Sequence, residues 1–137
     1  MKIVGLITEY NPFHNGHLYH IQEAKRVTGA DTVIVVMSGD YVQRGTPAVM
    51  PKRLRAEMAL KCGASAVIEL PVCYATGSAE YFAVGAVSLL NSLGVVDSLC
   101  FGSECSDLEA LSLVADILCR EPQAYRDCLK KALKKGS

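Results

Sequence analysis

The chain alternates between short, nearly unbroken apolar runs and longer stretches with apolar residues every three or four positions. Lys2 to Thr8 is almost continuously aliphatic, as expected of a strand buried on both faces. Thr32 to Met37, rich in valine, predicts a second strand. Ala66 to Leu70, stopped by Pro71, predicts a third, and Ser98 to Phe101 a fourth. Helical patterns separate them. Leu18, Ile21 and Ala24 share one side of a helix from about Gly16 to Val27, closed by Gly29. A second helix starts at or near Pro51 and ends before Gly63. A third has Ser78 as its N-cap, Gly94 as its stop, and Phe82, Ala83, Ala86, Leu89, Leu90 and Leu93 as its core stripe. Ser106 and Glu109 form a capping box for a fourth, with Leu108, Leu111, Ala115 and Leu118 on its buried face. The last begins at Pro122, with Tyr125, Leu129 and Leu133 apolar and Lys130, Lys131, Lys134 and Lys135 crowding its end. Cys73 to Ser78 reads as a loop.

Strand and helix therefore alternate along the chain, with one extra helix at the end. This order predicts an α/β fold: a Rossmann-like, doubly wound parallel sheet of about four to five strands with right-handed crossovers. In that arrangement the first strand is central and the fourth lies beside it across the switch point, where ligands bind beyond the carboxyl ends. Two loops should converge there, Asn11 to His17 and Gly102-Ser103-Glu104, each opening onto a helix. Residues 1–120 read as the nucleotide-binding domain and 121–137 as a C-terminal helix.

The stretch Glu9-Tyr10-Asn11-Pro12-Phe13-His14-Asn15-Gly16-His17 holds the chemistry. Two histidines flank a glycine at a strand-to-helix turn. A helix N-terminus offers unpaired N–H groups and a partial positive charge, which suit phosphate. Gly16 leaves room for close approach, and His14 and His17 supply donors on either side. A cap or a packed surface pair is the competing reading of the same residues. The long polar connection Ser38 to Met50 adds Asp40, Gln43 and Arg44 near the same edge. Lys52, Arg53 and Arg55 oppose the dipole at the start of the next helix, which suggests an anionic ligand or a solvated basic face.

Composition narrows the field. The chain has 137 residues, 50% of them apolar, and no net charge, so nothing advertises a membrane or a general nucleic-acid surface. Neither a signal-peptide pattern nor a membrane-length apolar run occurs. The six cysteines form no CxxC pair and read as reduced, mostly buried thiols of a cytoplasmic protein, with no disulfide-linked partner. His14, His17 and His20 lack acidic or thiol partners for a metal site, and none is assigned. GxGxxG, GxxxxGK[ST] and GxSxG are all absent, which removes nicotinamide, P-loop and hydrolase-elbow readings.

His14-Asn15-Gly16-His17 after a first strand resembles the HxGH signature of the nucleotidyltransferase superfamily. The longer runs Gly5 to His17, Met37 to Gly45 and Phe101 to Glu104 are similar to the bacterial tRNA(Met) cytidine acetate ligase family. Members of that family continue well beyond this length, with most of the tRNA-binding surface in the remainder. The resemblance implies that acetate attacks ATP to give acetyl-adenylate and pyrophosphate. The acetyl group then moves to N4 of the wobble cytidine of elongator tRNA(Met). It implies His14 and His17 as catalytic residues, with Mg²⁺ accompanying ATP. The implied ATP contacts are Ile7, Thr8, Glu9, Tyr10, Asn11, Pro12, Phe13, His14, Asn15, Gly16, His17, Leu18, Tyr19, His20 and Gly102. Asp40, Gln43, Arg44, Arg53 and Glu104 are weaker candidates for substrate or phosphate contacts. The superfamily's ISSTxxR-type segment is replaced here by Phe101 to Glu104, so the usual basic residue for the leaving phosphates is not evident. Two other functions fit the same residues: nucleotidyl transfer to a phosphorylated small molecule, and nucleotide binding without catalysis.

Overall fold

The computed structural model describes residues 1–105 and 107–136. Four strands, β1 (Ile3–Thr8), β2 (Thr32–Ser38), β3 (Ala66–Leu70) and β4 (Ser98–Leu99), form one parallel sheet in the order β3-β2-β1-β4. This is the expected α/β arrangement, with β1 central and β4 beside it. Helices α1 (Asn15–Thr28), α2 (Lys52–Lys61), α3 (Val72–Ala75) and α4 (Ala79–Ser92) connect the strands. The chain forms two compact units, Met1–Phe101 and Gly102–Ser137. The second contains α5 (Leu108–Arg120) and α6 (Gln123–Lys134).

Strand alternation sends side chains to two cores. Val4, Leu6, Val33, Val35 and Met37 pack with Ile21 and Ala24 of α1 and Ala59 of α2. Ile3, Ile34, Val36 and Leu70 face the other way, against Ala75 of α3 and Ala86 and Leu90 of α4. Gly5 sits where α4 and β4 close on the sheet. A Cβ there would lie 2.9 Å from Leu90 Cδ1 and 3.0 Å from Leu99 Cδ2, so a side chain would push them apart. Register is deep between β1 and β2, from Ile3↔Thr32 to Thr8↔Met37. Beside β4 only Val4↔Ser98 and Gly5↔Leu99 pair, so the fourth strand is shorter than its apolar run. Asp97 Oδ2 fixes its approach by accepting the Ile3 N–H at 2.7 Å.

Several local expectations change. The presumed loop from Cys73 contains α3, because the Pro71 carbonyl accepts the N–H groups of Tyr74 and Ala75 and starts a turn. On α4, Ala86 and Leu90 are buried and Phe82 and Leu89 half-buried, but Ala83 and Leu93 are exposed. On α5, Leu108 and Leu118 are exposed rather than buried, and no residue of that helix is buried. The expected Ser106 cap lies outside the described residues. The N-cap is Asp107, whose Oδ1 accepts the Ala110 N–H at 3.0 Å. The cysteines are free thiols, but only Cys62 and Cys100 are half-buried; Cys73, Cys105, Cys119 and Cys128 are exposed. Their apolar neighbours in sequence do not all face a core.

Candidate functional site

Beyond β1 the chain turns sharply. Tyr10 takes a left-handed backbone, φ 49°, which costs a non-glycine residue about 1–3 kcal/mol unless its surroundings fix it. They do. The Tyr10 side chain is 1% exposed and packs edge-on against Phe13, with ring centroids 4.8 Å apart. Glu9 Oε1 accepts the Gln43 N–H at 2.6 Å, and Asn11 Oδ1 accepts the Val49 N–H at 2.7 Å. The residues on both sides of the turn are thus fastened to the loop that follows β2. Burial pushes the Tyr10 phenol up to about 12, opposed by the nearby Thr8 hydroxyl.

Helix α1 then starts with a capping box made of two histidines. His14 Nδ1 accepts the Gly16 N–H at 3.1 Å, and His17 Nδ1 accepts the His14 N–H at 3.2 Å. The imidazoles lie stacked, with centroids 3.7 Å apart and planes inclined by 27°. An Nδ1 that accepts a hydrogen bond in a neutral ring leaves the proton on Nε2. Both rings therefore keep an Nε2–H donor for another partner. Burial lowers the pKa of His17, helped by His14 and His20, so the neutral form is favoured. Burial also lowers that of His20, opposed by the Cys100 backbone, and among the described residues its buried Nε2 has no well-formed hydrogen bond.

This differs from the expected open helix N-terminus. The Gly16 N–H is already taken, and the space above Gly16 is filled by His14: a Cβ would lie 2.9 Å from its Cε1 and 3.1 Å from its Nδ1. Glycine here serves the imidazole first. The donors offered outward are side-chain Nε2 groups on a helix start.

A cleft of about 380 Å³ opens at this end of β1, lined by Ile7, Thr8, Glu9, Tyr10, Asn11, Pro12, His14, His17 and His20. Phe13, of the same stretch, packs instead against the core. Asn15, Gly16, Leu18 and Tyr19 do not line the cleft, and Tyr19 is exposed. Gly102 and Glu104 are exposed and belong to the second unit. Asp40 acts at the start of α2, where its Oδ1 accepts the Lys52 N–H at 3.0 Å. Gln43 is joined to Glu9 through its backbone, and Arg44 and Arg53 are exposed.

The basic start of α2 divides. Lys52 Nζ lies 2.8 Å from both carboxylate oxygens of Glu69 and 3.8 Å from Asp40 Oδ2. Arg55 is fully buried. Lys52 is engaged by carboxylates but stays partly exposed, whereas Arg55 turns inward, so the expectation of an outward basic residue is corrected for Arg55. Sequence reasoning missed the inward turn of Arg55. The signal was its spacing of four from Ala59, the other buried residue of the helix. Among the described residues no group of three or more His, Cys, Asp or Glu is placed to hold a metal ion.

A family model described as HIGH nucleotidyl transferase matches residues 1–137. The chain belongs to the HIGH nucleotidyl transferase family. Within it, the chain is 56% identical over 136 residues to a tRNA(Met) cytidine acetate ligase of Acetivibrio thermocellus, covering 99% of this chain and 33% of that protein. It is 58% identical to one from Caldanaerobacter subterraneus, covering 99% and 34%. Its fold matches the crystal structure of Thermotoga maritima TmcAL bound with alpha-thio ATP, with a TM-score of 0.91 and 51% identity over 99% of this chain and 33% of that one. The chain spans about a third of the length of these relatives.

Proposed function

We propose that this chain carries the ATP-binding, acetate-activating site of a tRNA(Met) cytidine acetate ligase. The observation that supports this most is the pair of stacked imidazoles with free Nε2–H groups on the cleft after β1. The kinship with a protein solved with bound alpha-thio ATP supports a nucleotide as the ligand of that cleft. ATP lies along Ile7 to His20. Its phosphates receive the Nε2–H donors of His14 and His17. An acetate oxygen attacks the α-phosphorus, the bond to the bridging oxygen breaks, and pyrophosphate leaves. Charge moves onto the leaving group, where two fixed neutral donors stabilise it without reorganising. The N4 amine of the wobble cytidine of elongator tRNA(Met) then attacks the acetyl carbon, AMP departs, and the amine loses one proton. Mg²⁺ would accompany the ATP phosphates as their counterion. Arg44 and Arg53 are exposed and able to meet substrate, Gln43 is fastened only through its backbone N–H, and the Asp40 carboxylate caps α2.

The decisive experiment is acetate-dependent ATP–pyrophosphate exchange. It is run on this chain and on a chimera in which residues 1–137 replace the matching third of the Acetivibrio ligase. Exchange that needs acetate and vanishes in His17→Ala supports the proposal. Absence of exchange in both proteins despite ATP binding overturns acetate activation. The family match keeps one other reading in play, nucleotidyl transfer to a phosphorylated small molecule, and pyrophosphate release stimulated by such an acceptor but not by acetate would favour it.

A further inference from the structure

Arg55 is a charged side chain with no solvent exposure, placed behind the cleft wall rather than in it. Among the described residues its guanidinium makes no hydrogen bond to a carboxylate. Nε donates to the Met50 carbonyl at 3.0 Å, and Nη1 donates to the carbonyls of Glu9 at 2.5 Å and Ser38 at 3.2 Å. Nη2 donates to the Gly39 carbonyl. One rigid fork thus joins the turn after β1 to both ends of the loop between β2 and α2. Burying an arginine is costly unless its donors are satisfied, and here backbone carbonyls satisfy them. Asp40, Glu9 and Glu69 lie close enough to favour the charge from a distance.

The position of this fork matters because of Tyr10. The left-handed turn at Tyr10 is flanked by Glu9 and Asn11, and each is fastened to the loop 39–51 through its own side chain. Arg55 adds a third fastening at the carbonyl of Glu9, immediately before the turn. A strained backbone persists only where the surrounding structure over-determines it, and such sites cluster where ligands are gripped.

We propose that Arg55 is a positioning residue for the nucleotide site: its guanidinium locks the Glu9–Asn11 turn against the loop 39–51, so that the cleft wall and the histidine pair on it are preset before ATP arrives. This rests on the ATP-binding reading above and extends it to a residue that touches no nucleotide. A lysine cannot take its place, since a single ammonium on a flexible stem cannot span the same carbonyls.

The test uses the chimera, with Arg55→Lys and Arg55→Ala beside the parent. ATP affinity, the KM and kcat of ATP–pyrophosphate exchange, and hydrogen exchange at the Gln43 and Val49 amides are measured. In Arg55→Lys the two amides should exchange faster, and ATP affinity should fall by about 10- to 100-fold, as displacement of a binding wall by an ångström predicts. Added guanidinium ion should restore affinity in Arg55→Ala, whereas methylammonium should not. A folded Arg55→Lys protein with parental amide exchange, or with faster exchange but parental ATP affinity, overturns the proposal. A parent that binds no ATP overturns the functional reading instead, and the amide exchange still decides whether Arg55 holds the turn.

Discussion

His14 and His17 each use Nδ1 to accept a backbone N–H at the start of α1, and their rings stack at 3.7 Å. One device therefore caps a helix and fixes a tautomer. Removing either ring should act twice. His14→Ala or His17→Ala should lower the rate of acetate-dependent exchange by about 10²–10³, the effect of losing one preorganised donor. The lost cap should also destabilise the fold by about 1 kcal/mol. Thermal melts and exchange kinetics on the same variants separate the two. Wild-type kinetics in a destabilised variant would show that the pair only caps.

Acid should loosen the same region. The folded pKa values of His17 and His20 lie below the ordinary 6.5, chiefly through burial. Below pH 6.5 the unfolded chain then binds protons that the folded chain resists, so stability rises with pH in that window. The histidine contribution should be flat above pH 6.5, fall as pH drops from 6.5 towards the lowered folded values, and level off below them. Melting temperatures from pH 7.5 to 5 test this, and His17→Gln should flatten the slope. An unchanged slope in that variant would assign the loss to other groups.

Gly16→Ala is informative because helix propensity argues the other way. Alanine is ordinarily favoured over glycine in a helix by about 1 kcal/mol. Here its Cβ meets the His14 ring at 2.9 Å, so the imidazole must swing aside and surrender its cap. The variant should be less stable than the parent and bind ATP at least about tenfold more weakly, which isothermal titration and melting would reveal. A more stable Gly16→Ala would mean that the ring has room to move.

Lys52→Met should do little. The Lys52–Glu69 pair is substantially exposed, at 41% and 50% for the two side chains, and such pairs are screened by water and salt. Melting temperature and ATP affinity should stay within scatter of the parent, and the small difference should shrink further in high salt. A large loss of ATP affinity would move Lys52 from the scaffold to the site.

The sheet was legible because its strands read as nearly continuous apolar runs, largely buried in β1 and β2, and bounded by Gly29, Gly63, Pro71 and Gly94. Strand order followed from alternation and handedness. The cleft was legible in outline, since Ile7 to His20 contains every residue that lines it. Side-chain direction was not. Periodicity marked Arg55 as a cation near a helix start, whereas its fate depends on carbonyls supplied by residues 5 to 46 positions away. The apolar stripe of α5 likewise predicted burial, but a stripe states only that a face suits a neighbour, not that this chain supplies one.

The fastening around Tyr10 has an evolutionary consequence. Arg55 grips carbonyl oxygens, and Glu9 and Asn11 grip amides, so in these fastenings the loop 39–51 takes part through its main chain, while Asp40 and the buried Val42 add side-chain anchors. The side chains of Gln43, Val49 and Met50 make none of these bonds. Such positions can change identity while the geometry next to the cleft stays put, with proline barred at 43 and 49 because it has no N–H to give. The loop is thereby free to be rewritten for new contacts without relearning how to fold.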